Sequence, residues 1–264
     1  MHITSRDNSL LRQARAVRDG KVDELIFVEG LRLCVEALRS SLQIEVVIVS
    51  EELVRKEKTA GPIAELSQAA RRVASVSEKL LESISYTKTP QGIVVLAQRP
   101  AASEQRVAAR LTANSLLVLL HQINNPVNVG AILRTAEAAG ATGIITTRNT
   151  SDPFSPKSLR GAMGSAFRLP IWRNADFNRA VAWCRERNIS LVGAAATATM
   201  KHTDWNWTRP TALVLGPEST GLSADELRDT DQTVSIPMQG EVESLNVSVA
   251  AGILLYEAAR QRSA

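Results

Sequence analysis

The chain has 264 residues, of which 44% are hydrophobic and 22% charged, with 14 Gly and 10 Pro. This is ordinary globular composition with ample apolar surface for a core, and it excludes a disordered chain, a fibre and a disulfide-stapled miniature scaffold. A net charge of +4 is compatible with a nucleic-acid partner without pointing to one.

The basic excess sits toward the front, where residues 1–110 hold 17 basic and 14 acidic side chains. No apolar run approaches the roughly 20 residues needed to cross a bilayer, and the polar, basic opening lacks a signal-peptide core. A cytoplasmic protein without membrane contact is expected. Cys34 and Cys184 have no metal-spaced neighbour, so buried reduced thiols are expected, with no zinc site and no disulfide.

Leu10, Leu11, Ala14 and Val17 recur at helical spacing opposite Arg12, Arg15 and Arg18, which predicts a basic amphipathic helix. Its arginines suit a solvated face or phosphate contacts. Leu25 to Val28 predicts a strand, 30–39 a helix, Ile44 to Val49 a β-branched strand, 63–72 a helix, 79–83 a short helix and Gly92 to Ala97 another strand. Residues 1–100 therefore form one α/β unit, and 101–114 read as its exit linker.

The pattern restarts with Leu116 to Leu120, an apolar run of the kind found in parallel strands buried on both faces. Further strands are expected at 143–147, 190–194 and 212–215, and helices near 176–187, 225–228 and 246–262. Residues 115–264 thus read as a second α/β domain with a mainly parallel sheet. The last helix presents Val247, Ala250, Ala251, Leu254, Leu255 and Ala258 on one face and ends in Arg260 and Arg262, suited to the negative end of its dipole.

Three loops of the second domain carry candidate chemistry. After the Leu116 to Leu120 strand comes Asn124-Asn125-Pro126-Val127-Asn128-Val129-Gly130, with Arg134 further along the following helix. Loops at the carboxyl edge of a parallel sheet are where ligands bind. Taken by themselves, Asn128 reads equally well as a helix cap and Arg134 as a surface cation. A second strand runs into Leu215-Gly216-Pro217-Glu218-Ser219-Thr220-Gly221, where two glycines allow close backbone approach. It also reads as a tight connection, and it lacks both GxGxxG and a Walker lysine. The third is Ile236-Pro237-Met238 followed by Ser244-Leu245-Asn246-Val247-Ser248, in which Ser244 or Asn246 is placed to cap the last helix.

Together the three resemble the motifs of the SpoU/TrmH branch of the SPOUT RNA 2′-O-ribose methyltransferases. The family's N-x-G-x-x-x-R-T-A is matched by Asn128 to Ala136, its L-G-x-E-x-x-G by Leu215 to Gly221, and its I-P-M…S-L-N-V-S-V-A by Ile236 to Met238 and Ser244 to Ala250. Order and spacing agree, and three modest motifs coinciding over about 120 residues make a specific signal. Asn125 stands where the family often has Asp. The front of the chain, Phe27 to Leu38 and Thr89 to Val94, is similar to the L30e-like substrate-binding domain of the rRNA-modifying members.

The resemblance implies an α/β fold in which an N-terminal L30e-like domain precedes a deep trefoil-knot domain, S-adenosylmethionine as cofactor, a structured RNA substrate and a homodimer. It implies catalytic roles for Asn128, Arg134, Glu218, Ser244 and Asn246, with Glu218 orienting Arg134 or its loop and Arg134 beside the ribose 2′-hydroxyl. It implies cofactor contacts from Leu215, Gly216, Gly221, Ile236, Met238, Ser244 and Leu245, and no metal. Ribosomal RNA is the expected substrate; transfer RNA, or a non-catalytic role in RNA binding or ribosome assembly, is the alternative. His121 reads as a base or as a hydrogen-bonded strand-end histidine, and Trp205 and Trp207 as base-stacking or as core and dimer residues.

Overall fold

The computed structural model describes residues 1–263, which pack as two units: 1–100 together with 154–168, and the remainder of the chain. In the first unit, β1 (His2–Ile3), α1 (Ser9–Arg18), β2 (Leu25–Glu29), α2 (Leu31–Arg39), β3 (Ile44–Ser50), α3 (Glu51–Val54), α4 (Glu57–Ala69), β4 (Arg72–Val76), α5 (Glu78–Ile84) and β5 (Ile93–Gln98) build a five-stranded sheet. Its order is β1-β4-β3-β5-β2, with β5 antiparallel to both neighbours.

The predicted stripe of α1 is the buried one: Leu10, Leu11, Ala14 and Val17 pack on Phe27, Val46, Ile48 and Leu96. The opposite face is less open than its charge suggests. Arg18 donates to the carbonyls of Ile84 and Ser85, each at 3.2 Å, closing the end of α5, and Arg15 donates to the carbonyl of Arg6. Of the arginines that suited phosphate contacts, two therefore hold backbone instead. The helix expected to reach residue 72 stops at Ala69, and Arg72 opens a strand whose Ala74 and Val76 face the core. Pairing with β3 decides that conformation, since intrinsic strand preference is weak.

The second unit comprises α6 (Glu104–Ala108), β6 (Leu116–Leu120), α7 (Pro126–Ala138), β7 (Gly143–Thr147), β8 (Ile171–Ala175), α10 (Phe177–Arg185), β9 (Ser190–Ala194), β10 (Thr211–Leu215), α11 (Ala224–Arg228), β11 (Gln232–Val234) and α12 (Val247–Arg262). Its six-stranded sheet has the order β11-β9-β10-β6-β7-β8, and every neighbouring pair is parallel. Every residue of β6 and β10 is buried, as an apolar run sheathed on both faces should be.

Residues 101–114 are not an open linker. They contain α6, whose Val107 is fully buried in the core of the second unit beside Leu117 and Ile145. Residues 154–168 carry α8 (Pro156–Ala162) and α9 (Ser165–Arg168) and belong to the first unit. There Arg168 pairs with Glu36 at 2.8 Å. Nothing in the local sequence announced that membership, because it is set by contacts more than a hundred residues away.

Strands β6, β7 and β8 are laid down in one direction along the sheet, and β10, β9 and β11 lie on the other side of β6. The switch point falls between β6 and β10, the position where open α/β sheets bind ligands. At the opposite edge Arg262 of α12 donates to the carbonyls of Asn114, Ser115 and Arg209, which fixes the last helix to the amino ends of β6 and β10. No helix among the described residues is long and apolar enough to cross a membrane.

Candidate active site

Asn125, not Asn128, caps α7: its Oδ1 accepts the Val127 N–H at 3.0 Å, and Pro126 takes the first helical position, where it needs no N–H. Asn128 is thereby left in the first turn on the inner face, 6% exposed. A buried amide must be satisfied, and here two distant motifs satisfy it. Asn128 Nδ2 donates to Glu218 Oε1 at 2.6 Å, and Asn128 Oδ1 accepts from Asn246 Nδ2 at 3.3 Å. Asn246 Oδ1 in turn accepts the Ser248 N–H at 2.9 Å and caps α12, which packs along α7.

The loop after β10 is as tight as its glycines suggest. A Cβ on Gly216 would stand 2.6 Å from the backbone nitrogen of Leu222, so the two limbs of the turn touch. Gly221 has φ +64°, and its N–H closes onto the Pro217 carbonyl at 2.8 Å.

This loop and the third one border a cleft of about 390 Å³, within the roughly 300–1,000 Å³ of small-molecule sites. Leu215, Gly216, Gly221, Glu218, Ile236, Met238, Ser244 and Leu245 all line it. Apolar walls, exposed backbone at a turn and a few polar side chains are what an adenosine-containing sulfonium such as S-adenosylmethionine needs, so the lining fits that cofactor. Sequence reasoning missed the segment from Ala194 to Thr197 and Val247 and Leu254 of α12, which also line the cleft. The first follows from β9 lying beside β10, a neighbour relation that the sequence alone does not give.

Arg134 does not border this cleft. It lies exposed on α7, six residues and so about 120° around the helix from Asn128. No ion pair or hydrogen bond engages its guanidinium among the described residues, and the Glu218 carboxylate is held by Asn128 instead. The expected Glu218–Arg134 pairing is therefore not made within one chain.

His121, at the end of β6, is buried and outside the cleft lining. Its Nδ1 lies 3.0 Å from Thr147 Oγ1 and its Nε2 2.8 Å from Glu226 Oε1, joining β6 and β7 to α11. Burial raises the Glu226 carboxyl, but hydrogen bonds from Ser223 and the nearby His121 imidazole outweigh it and hold the group below the usual carboxylate range. Trp207 is fully buried, its indole N–H donating to the His202 carbonyl, and is a core residue. Burial pushes the Cys184 thiol up to about 12 and raises that of Cys34 further, so both are inert thiols.

A profile of the SpoU rRNA methylase family matches residues 115–256, and one of the MRM3-like substrate-binding domain matches residues 10–95. The 23S rRNA (uridine(2479)-2′-O)-methyltransferase of Streptomyces viridochromogenes is 36% identical over 196 residues, covering 72% of this chain and 68% of the relative. The 23S rRNA (guanosine(2553)-2′-O)-methyltransferase RlmP of Bacillus subtilis is 32% identical over 229 residues, covering 87% of this chain and 86% of its own. Among solved structures, the SpoU methyltransferase AviRb from Streptomyces viridochromogenes in complex with AdoMet superposes with a TM-score of 0.87 at 29% identity, over 97% of this chain and 99% of that one.

Proposed function

Because the chain belongs to the SpoU rRNA methylase family, we propose that the cleft between the Gly216 loop and the Ile236 to Asn246 segment methylates a ribose 2′-hydroxyl of ribosomal RNA. The enzyme is an S-adenosylmethionine-dependent RNA methyltransferase. Relatives at 36% and 32% identity carry 23S rRNA in their names, which supports the large ribosomal RNA over transfer RNA. The observation that carries the reading is the hydrogen-bonded trio Asn128, Glu218 and Asn246, which joins all three motifs beside that cleft.

When bound, S-adenosylmethionine supplies a methyl group already activated by its sulfonium. The chain's work is then to hold, orient and neutralise. Leu215, Ile236, Met238 and Leu245 wall the adenosine away from water, while Gly216 and Gly221 let main-chain groups approach it. Glu218, held by Asn128, fixes the second loop against the first helix, and Asn246 fixes the third loop to the same amide. Ser244, on the cleft wall, offers a hydroxyl to the ribose. A guanidinium offers donors and no acceptor, so Arg134 stabilises the developing alkoxide and the adjacent phosphate instead of acting as a base. Alignment of the oxygen with the methyl supplies much of the rate.

The same reading makes the protein a cytoplasmic homodimer. Val127 of α7 and Val249 and Tyr256 of α12 are exposed at 46%, 51% and 56% on two helices that pack together, and Val249 and Tyr256 lie seven residues apart on one side. An isologous contact over this face covers that apolar surface and lets the outward Arg134 of the partner subunit serve the cleft. The deep trefoil knot implied by the family motifs is part of this reading, and the return of α12 onto α7 supports it.

Tritium transfer from labelled S-adenosylmethionine to purified ribosomal and transfer RNA tests it, followed by mapping of 2′-O-methyl positions in cells with and without the gene. Label in 23S rRNA at one mapped ribose is the expected result. Label in transfer RNA alone, or in no RNA at all, overturns the assignment.

A further inference from the structure

Glu29, the last residue of β2, accepts hydrogen bonds from three groups on one short stretch of the loop that joins α5 to β5. Its Oε2 takes the N–H of Tyr86 at 2.9 Å and of Thr87 at 3.2 Å, and its Oε1 takes the Thr87 hydroxyl at 2.7 Å. A carboxylate accepting three donors is strong and directional, so two consecutive residues of an otherwise irregular loop are pinned. On the other side Gly30 holds a backbone conformation that favours glycine, with φ +96°, and a Cβ there would stand 2.7 Å from the Gln91 side-chain oxygen. Glu29, Gly30, Tyr86, Thr87, Gln91, Pro156 and Arg160 enclose a small cleft within the first unit.

What this rigid corner presents is unusual for a structural loop. Tyr86 is 45% exposed, and its hydroxyl has no hydrogen-bond partner among the described residues. Arg160 lines the cleft, while Lys88 follows Thr87 and Lys157 follows Pro156. All three cations are exposed, and none makes an ion pair among the described residues. The one carboxylate lining the cleft, Glu29, is turned toward its three donors in the loop. A flat aromatic face on a fixed backbone beside unpaired cations matches an unpaired nucleotide, with a base to stack and phosphates to neutralise. We propose that this corner binds an unpaired nucleotide of the substrate RNA, its base stacked on Tyr86 and its flanking phosphates held by Arg160, Lys88 and Lys157. The inference rests on the reading of the chain as an RNA methyltransferase and adds the place and manner in which its first unit takes the RNA.

The test uses the full-length protein and transcribed 23S rRNA, with filter-binding affinities measured across a series of KCl concentrations and cofactor affinity by calorimetry. Tyr86→Ala is expected to weaken RNA binding about tenfold or more, the usual loss for one base–aromatic stack, while Tyr86→Phe stays within about twofold of wild type. The Lys88→Ala/Arg160→Ala pair is expected to lower the slope of log affinity against log salt by about one to two. S-adenosylmethionine affinity, read at the second unit's cleft, and the melting temperature, which also reports on the first unit, stay unchanged in all of them. Wild-type affinity in Tyr86→Ala, equal losses in Tyr86→Phe and Tyr86→Ala, or an unchanged salt slope overturns the subsite. If these occur while the wild-type protein still methylates rRNA, the enzymatic assignment stands and only the subsite falls. If the wild-type protein methylates no RNA, both fall.

Discussion

Asn128 and Glu218 lie 90 residues apart in sequence and share a 2.6 Å hydrogen bond, so the helix after β6 and the loop after β10 are one mechanical unit. Hydrogen bonds to charged groups are each worth about 1.5–3 kcal/mol. Asn128→Ala should therefore lower kcat/KM for methyl transfer by roughly 10- to 100-fold. Asn128→Asp should be worse, because it sets a second carboxylate against Glu218 in a buried position. Initial-rate assays on both variants check the order, and equal activity in Asn128→Ala and wild type removes the coupling from the mechanism.

Arg134 makes no contact that the fold depends on. Arg134→Ala should leave the melting temperature and S-adenosylmethionine affinity unchanged while lowering transfer by about 10²–10³, the usual loss for a group that meets transition-state charge. A mixing experiment tells which subunit uses it. Arg134→Ala and Gly216→Val proteins, each inactive alone, should recover about a quarter of wild-type activity when co-refolded, since half the dimers are mixed and each then holds one intact site. No recovery means that Arg134 serves its own chain.

At Gly216 the prediction is steric. A methyl group would meet backbone atoms of Gly221 and Leu222 at 2.8 and 2.6 Å, and backbone cannot rotate aside as a long side chain can. Gly216→Ala should open the turn, destabilise the protein by about 1–3 kcal/mol and weaken cofactor binding. Calorimetric titration with S-adenosylmethionine measures the second effect directly, and wild-type affinity would mean that the turn is not part of the cleft.

Much of the architecture is legible in the sequence. The stripe Leu10, Leu11, Ala14 and Val17 gives α1 its orientation, and the unbroken run Leu116 to Leu120 is of the kind found in strands sheathed on both sides, which it is. The positions around Gly216, Ile236 and Leu245 were readable only through the resemblance to the SpoU/TrmH motifs, since the Gly216 turn by itself reads as a tight connection. Direction was not readable. Arg134 occupies the expected place along α7 but points away from its own cleft, and periodicity fixes only relative faces, not which neighbour covers each. Asn128 reads as a possible cap, whereas Asn125 takes that role with Pro126 in the first helical position. Strand β4 and the placement of residues 154–168 depend on pairing at long range, which no local window contains.

Acid stability should depend on Glu257 of α12. Two hydrogen bonds from Arg260, and one from Gln261, hold its carboxyl down at about 2. Gln261 also accepts the Trp207 N–H at 2.9 Å, which ties α12 to the segment before β10. Since the folded value lies below the ordinary 4.5, the stabilisation is complete above that pH and disappears as pH falls toward about 2. Glu257→Gln should flatten the acid limb of a plot of melting temperature against pH and leave its neutral plateau lower. A limb of unchanged steepness would assign the acid sensitivity elsewhere.

The membership of residues 154–168 in the first unit bears on how the protein can be dissected. A fragment ending at Pro100 would lack the helix that covers β2 and the arginine that answers Glu36, leaving apolar surface bare. Gene truncation at that point should yield an aggregating product. An excised half that stays monomeric and soluble would require the later stretch to be supplied in trans or grafted onto its end.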